Sequence, residues 1–132
     1  MRLHEHQAKR ILRESGIATP VGRVAYTPDE ARQVAAELGG RVVVKAQVLA
    51  TGRGRAGGIR VAEDLSAAEL AAQQIMGLTI GGLPVRRVLV ERAVDIRRQM
   101  YMGLALQPTG EVQFAVAAEA APFTQPPRTI TV

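Results

Sequence analysis

The chain has 132 residues, 47% of them hydrophobic and 22% charged, enough for one globular domain with its own core and too apolar for disorder. It has no cysteine, which excludes disulfides and thiolate-held metals, and its two Tyr and two Phe cannot build a base-stacking platform. The net charge of +5 comes almost wholly from arginine, because only two of the 17 basic residues are lysines, Lys9 and Lys45. Such a charge favours an anionic partner without choosing among phosphate ligand, nucleic acid and acidic protein surface. The opening Met1-Arg2-Leu3-His4-Glu5 has no apolar targeting core, and no run approaches the ~20 apolar residues of a membrane span. The sequence therefore reads as soluble, untargeted and cytoplasmic, with no membrane partner.

Between His4 and Ser15, Ala8, Ile11 and Leu12 fall at helical spacing and Gly16 suits a left-handed cap, which predicts a short amphipathic helix. Thr19-Pro20 breaks the chain and Gly22 to Tyr26 reads as a strand. Thr27-Pro28-Asp29-Glu30 is a helix start with a capping-box spacing, and the helix runs to about Leu38, where Gly39-Gly40 stops it. Val42 to Gln47 follows as a β-branched strand. A glycine-rich loop then leads back into strand at Ile59. Ser66-Ala67-Ala68-Glu69 repeats the capping pattern and opens a helix to Met76, with a loop around Gly81-Gly82 after it. Val85 to Glu91 is the next strand, and Met100 to Leu106 with Val112 to Ala117 form a hairpin about Pro108-Thr109-Gly110. The proline-bearing tail from 119 is extended, with Thr129 to Val132 able to add a strand. This order implies an α+β fold, helices packed on a mostly antiparallel sheet.

Gly52, Gly54 and Gly57 satisfy G-x-G-x-x-G, but a strand follows them where a dinucleotide fingerprint needs a helix. A phosphate-binding loop of the Walker type needs a lysine after its glycines, and Lys45 precedes them. What remains is a glycine-rich hairpin tip whose backbone N–H groups can close over phosphates, or equally a mobile basic hairpin with no ligand. The rarity of lysine favours the first: an ammonium inside an apolar strand beside the loop marks a place that wants a compact charge. Arg53 or Arg55 would add a second charge from the tip. His4 and His6 read as solvated, since nothing completes a metal site around them, and Arg92, Arg97 and Arg98 as a solvated basic face.

Leu3-His4-Glu5-His6-Gln7-Ala8-Lys9, Val43-Val44-Lys45-Ala46-Gln47-Val48, Gly52-Arg53-Gly54-Arg55-Ala56-Gly57-Gly58, Val88-Leu89-Val90-Glu91 with Asp95-Ile96, and Tyr101-Met102-Gly103 together resemble the N-terminal region of succinyl-CoA synthetase beta subunits over about residues 1–118. The resemblance implies the start of an ATP-grasp fold: an opening helix of the core over 1–20, the lid over the nucleotide at 21–92, a hinge and hairpin at 93–118, and a tail at 119–132. It also implies ATP as ligand and, for the whole enzyme, joining of a dicarboxylic acid to coenzyme A through a phosphohistidine on a partner alpha subunit. Position by position, Lys45 matches the phosphate-contacting lysine, Gly52, Arg53 and Gly54 the nucleotide flap, Glu91 the glutamate near adenine, and Val94 a nucleotide contact of some members. Gln99 stands where a glutamate commonly accepts the ribose hydroxyls. Leu49 and Thr51 replace a histidine and a glycine, Glu119-Ala120-Ala121 replaces a glutamate-glycine-glycine segment, and the match ends at Pro122.

The family's magnesium-binding Asn and Asp and its domain that meets the alpha subunit have no counterparts here, so the chain is expected to bind nucleotide as a fragment or truncated homologue inactive alone. The alternative is a non-catalytic paralogue acting as a subunit or regulatory module. Nucleic acid, the remaining anionic partner, would betray itself by a steep salt dependence that a nucleotide pocket lacks. Self-association or a need for a partner is expected, because the resemblance implies that the apolar faces of the opening helix and the hairpin, and a free strand edge, lack the cover that later sequence gives them in the family.

Overall fold

The computed structural model describes residues 2–110, 112–118 and 128–131, with side chains as far as Gln113 except that of Tyr101. The chain divides into two compact units, Met1–Val94 and Asp95–Val132.

In the first unit, helix α1 (Glu5–Glu14) precedes β1 (Gly22–Ala25), α2 (Pro28–Leu38), β2 (Val42–Ala46), β3 (Ile59–Ala62), α3 (Leu65–Met76), a short β4 (Thr79–Ile80) and β5 (Leu83–Pro84), and β6 (Val88–Arg92). Among the described residues, four strands form a sheet in the order β1-β6-β2-β3, each neighbour antiparallel. Strands β1 and β2 therefore run parallel with β6 between them, and β3 and β6 run parallel with β2 between them. The two crossovers proceed in opposite directions along the sheet from strands of opposite sense, so the right-handed rule places α2 and α3 on the same face. Their small, apolar inner sides (Ala31, Val34, Ala35 and Leu38; Ala68, Ala71, Ala72 and Ile75) bury Val42, Val44 and Ala46 of β2 and Val88 and Val90 of β6. The alternation of β2 then leaves Val43 and Lys45 on the other face.

Local signals explain most element ends. Thr27 caps α2 by accepting from the Glu30 N–H at 3.1 Å, while the Glu30 carboxylate accepts from the Tyr26 N–H at 2.7 Å. Helix α1 ends in a Schellman motif: Gly16 takes φ +80°, its N–H reaches the Arg13 carbonyl, and the Ile17 N–H reaches that of Leu12. Two expectations are corrected. Helix α3 starts before Ser66, because the Asp64 carboxylate accepts from the Ala67 N–H at 2.7 Å, and a charged acceptor at a helix N-terminus outcompetes a hydroxyl farther in. Ser66 instead accepts from Arg32. The loop at 77–84 contains a two-residue hairpin, since Gly81 and Gly82 both take positive φ, which is the twist that tight hairpins require. Helix α1 forms as expected and its apolar side is uncovered: it buries none of its residues, and Ile11 and Leu12 are exposed.

In the second unit β7 (Met100–Leu106) and β8 (Val112–Ala118) pair as the expected hairpin, closed by the Gly110 N–H donating to the Gln107 carbonyl at 2.9 Å. Strand β9 (Arg128–Thr131) pairs antiparallel with β8, so the end of the tail folds back within the chain. The edge left to β7 carries Met100, Met102, Leu104 and Leu106, all exposed. Residues 119–127 of the expected extended tail lie outside the described residues.

The position of the α3 cap is testable by urea unfolding. Asp64→Ala is expected to cost about 1 kcal/mol, and Ser66→Ala at most about 0.5 kcal/mol. The reverse order would return the cap to Ser66.

Candidate functional site

Lys45 is opposite Leu89 on β6, and Glu91 is opposite Val43 on β2, so Lys45 and Glu91 are diagonal neighbours on the face that α2 and α3 do not cover. A lysine at this half-buried position needs a counter-charge, and it has two. Its Nζ lies 2.7 Å from Glu91 Oε2 and 3.1 Å from Glu5 Oε1. Glu5 stands in the first turn of α1, and Lys9, one turn farther along the same side of the helix, contacts it at 2.9 Å and donates to Glu91 Oε1. Arg53 completes the group: Nη2 lies 2.9 Å from Glu5 Oε2, and Nη1 donates to the Ala46 carbonyl at 2.8 Å. Three cations and two carboxylates from a helix, two strands and a loop thus share one cluster, with one positive charge in excess.

The electrostatics follow from this crowding. Burial alone would raise the Glu5 pKa, but the hydrogen bond from Lys9 and the charge of Lys45 outweigh it and hold the carboxyl at about 2. Burial would likewise lower Lys45, yet the hydrogen bond to Glu91 and the charge of Glu5 raise it above the ordinary lysine value, so the ammonium stays charged. Glu91 is the deepest member at 2% exposure. It fits only because residue 22 is glycine: a Cβ there would come within 2.7 Å of Glu91 Cγ and 2.6 Å of the Val90 carbonyl oxygen.

The glycine loop is tied at its base. The Gly58 N–H donates to the Arg53 carbonyl at 2.8 Å, and the Ala46 N–H donates to that of Gly58 at 2.7 Å. Gly52 takes φ +75° with open space around it, and a Cβ on Gly54 would make an ordinary 3.9 Å contact with Ile59 Cδ1. Of the two loop arginines proposed as charges, Arg53 folds inward onto the cluster and Arg55 stays exposed. Beside Glu5 and Arg53 opens a cavity of about 260 Å³, lined also by Arg2, Leu3 and residues 48–51. On the far side of the cluster a cleft of about 200 Å³ is bordered by Lys9, Arg10, Arg13, Arg23 and Glu91.

The structure thus brings together Lys45, Arg53 and Glu91, with Gly52 and Gly54 in the adjoining loop. Val94 is exposed at the end of the first unit, and Gln99 is exposed in the second. Past Glu91 the Arg92 N–H is taken by the Val21 carbonyl and the Ala93 N–H by that of Arg41, both at 2.9 Å. Arg92 is exposed, as expected of a solvated face, and its guanidinium also donates to the Leu38 carbonyl at the end of α2.

Sequence reasoning missed Glu5, Lys9, Gly22 and Gln47. Lys9 was within reach of the same compositional argument that singled out Lys45. Gln47 is buried, and its Oε1 accepts from the His6 backbone N–H at 3.1 Å and lies 2.9 Å from His6 Nδ1. The histidines are half-buried rather than solvated: their rings stack at 5.6 Å, and burial, then Arg87, His6 and Arg53, push His4 below the ordinary histidine range. Among the described residues no group of three His, Asp or Glu side chains could hold a metal ion.

A carboxylate whose pKa is depressed on folding stabilises the fold above its unfolded value and loses that contribution as pH falls toward its folded value. Thermal melts between pH 7 and 2 should therefore show the parent ahead of Glu5→Gln by about 1–2 kcal/mol at neutral pH, with the difference shrinking from about pH 4.5 toward 2. A difference that does not change across that window would remove Glu5 from the ion cluster.

Comparison with known proteins agrees with this architecture. The family model for the ATP-grasp domain matches residues 2–121. The chain is 53% identical over 106 residues to the succinate–CoA ligase [GDP-forming] beta subunit of Thermus thermophilus, covering 80% of this chain and 28% of that one. It is 54% identical over 102 residues to the [ADP-forming] beta subunit of Rubrobacter xylanophilus, covering 77% and 27%. The chain thus spans little more than a quarter of the length of these relatives. Among solved structures, the dinucleotide-forming acetyl-coenzyme A synthetase 1 of Ca. Korarchaeum cryptofilum superposes with a TM-score of 0.71 at 24% identity, covering 91% of this chain and 60% of that one. PH1788 from Pyrococcus horikoshii does so at 0.74 and 21%, covering 92% and 54%. The antiparallel α+β fold and the matched family model agree, and this chain belongs to the ATP-grasp domain family.

Proposed function

We propose that this chain is the nucleotide-binding part of an ATP-dependent acid–CoA ligase of the succinate–CoA ligase type, working with an alpha subunit and inactive in ligation by itself. The observation that carries the reading is the convergence of Lys45 and Arg53, from a strand and a glycine loop, on one basic cluster beside an open cavity. Oligophosphate needs such a place: fixed ammonium and guanidinium groups neutralise its charge, and loop N–H groups orient it. Lys45 and Arg53 contact the phosphates, Gly52 and Gly54 let the loop backbone approach them, Glu91 and Val94 mark the adenine end, and Gln99 serves the ribose.

ATP-grasp domains bind ATP, typically with magnesium. The two carboxylates of the cluster do not fit the metal, because Glu5 and Glu91 are each bonded to cations. The chain's own contribution is to bind and orient the phosphates.

The isolated chain should bind ATP weakly, on the order of millimolar, through these few groups. Lys45→Gln is expected to weaken that binding at least about tenfold, by loss of a charge-assisted contact, in a calorimetric titration. Equal affinity of the variant and the parent would take Lys45 out of the phosphate site.

A further inference from the structure

The cations that would hold the phosphates are already occupied. We infer that the Glu5 carboxylate is a displaceable stand-in for oligophosphate, so that nucleotide binding pushes the first turn of α1 off Lys45 and Arg53; this rests on the reading of those two residues as phosphate ligands. The geometry is that of an anion in a cationic nest. Glu5 Oε1 serves Lys9 at 2.9 Å and Lys45 at 3.1 Å, and Oε2 serves Arg53 at 2.9 Å. Phosphate oxygens entering there would meet the same three donors.

The two carboxylates of the cluster are not equally removable. Glu91 is 2% exposed and packed over Gly22, so it stays with Lys9 and Lys45. Glu5 lines the 260 Å³ cavity that Arg2 and Arg53 also border, so an anion entering that cavity reaches Glu5 first. Without Glu5 the cluster keeps three cations against one carboxylate, and an oligophosphate answers that excess with several negative charges where Glu5 supplies one. The helix that carries Glu5 is equally suited to yield. Helix α1 buries no residue, and its remaining described ties to the sheet side are polar, Lys9 to Glu91 and His6 to Gln47. Moving its first turn therefore exposes little apolar surface.

The test is a titration of the full chain with ATP and with inorganic tripolyphosphate in chelator-containing buffer, comparing the parent, Glu5→Gln and Lys45→Gln. Removing the competing charge should tighten both ligands about tenfold in Glu5→Gln. Affinity that is unchanged or weaker in Glu5→Gln, while Lys45→Gln still binds less well, overturns the stand-in and leaves the phosphate site intact. Equal affinity of Lys45→Gln and the parent overturns the underlying reading instead. Amide exchange of the parent supplies a readout that needs no variant. Saturating tripolyphosphate should speed exchange of the α1 amides, and exchange that is unchanged or slower overturns the proposal.

Discussion

A lysine on a half-buried sheet face must find negative charge, and much of the first unit is arranged around that need. Lys45 is placed by the alternation of β2, which turns Val42, Val44 and Ala46 toward the helices and leaves the ammonium on the opposite side. Glu91 answers it from the neighbouring strand, and Gly22 answers Glu91 by leaving the space its side chain occupies. Breaking one partner of such a pair costs more than the pair contributes net, because the other is left charged and unpaired. The cluster therefore couples residues at positions 5, 9, 22, 45, 53 and 91 into one electrostatic unit.

This unit changes what the opening helix is. An amphipathic helix is expected to dock through its apolar side, yet α1 leaves Ile11 and Leu12 exposed and meets the sheet through Glu5, Lys9 and His6. Apolar contacts hold α2 and α3 with little regard to solutes, whereas ion pairs respond to salt and to competing anions. Within one unit, a sheet packed against α2 and α3 through apolar contacts thus carries a helix attached through ion pairs and polar contacts.

How much of this could be read in the residues depended on range. The helix start at Thr27 and the stop at Gly39-Gly40 are local, and both stand in the structure. The cap at Asp64 was misread because two acceptors, Asp64 and Ser66, lie two residues apart and only the folded geometry decides between them. The Gly81-Gly82 hairpin was legible in principle, since adjacent glycines suit its two positive φ values. Lys45 was legible by its rarity among arginines. Its meeting with Glu5 was not, because a contact across 40 positions is set by the register of the sheet and the seating of α1. Residues 1–118 carried the family resemblance, and the matched domain extends over 2–121.

The small lysine count allows the central claim, that the cationic cluster is where oligophosphate binds, to be tested at single atoms. With only Lys9 and Lys45 in the chain, selective 15N-lysine labelling leaves two side-chain ammonium signals to follow by NMR during an ATP titration. The Lys45 ammonium signal is expected to shift along the same saturation curve as the binding heat. ATP bound to saturation with the Lys45 signal unmoved would contradict the claim.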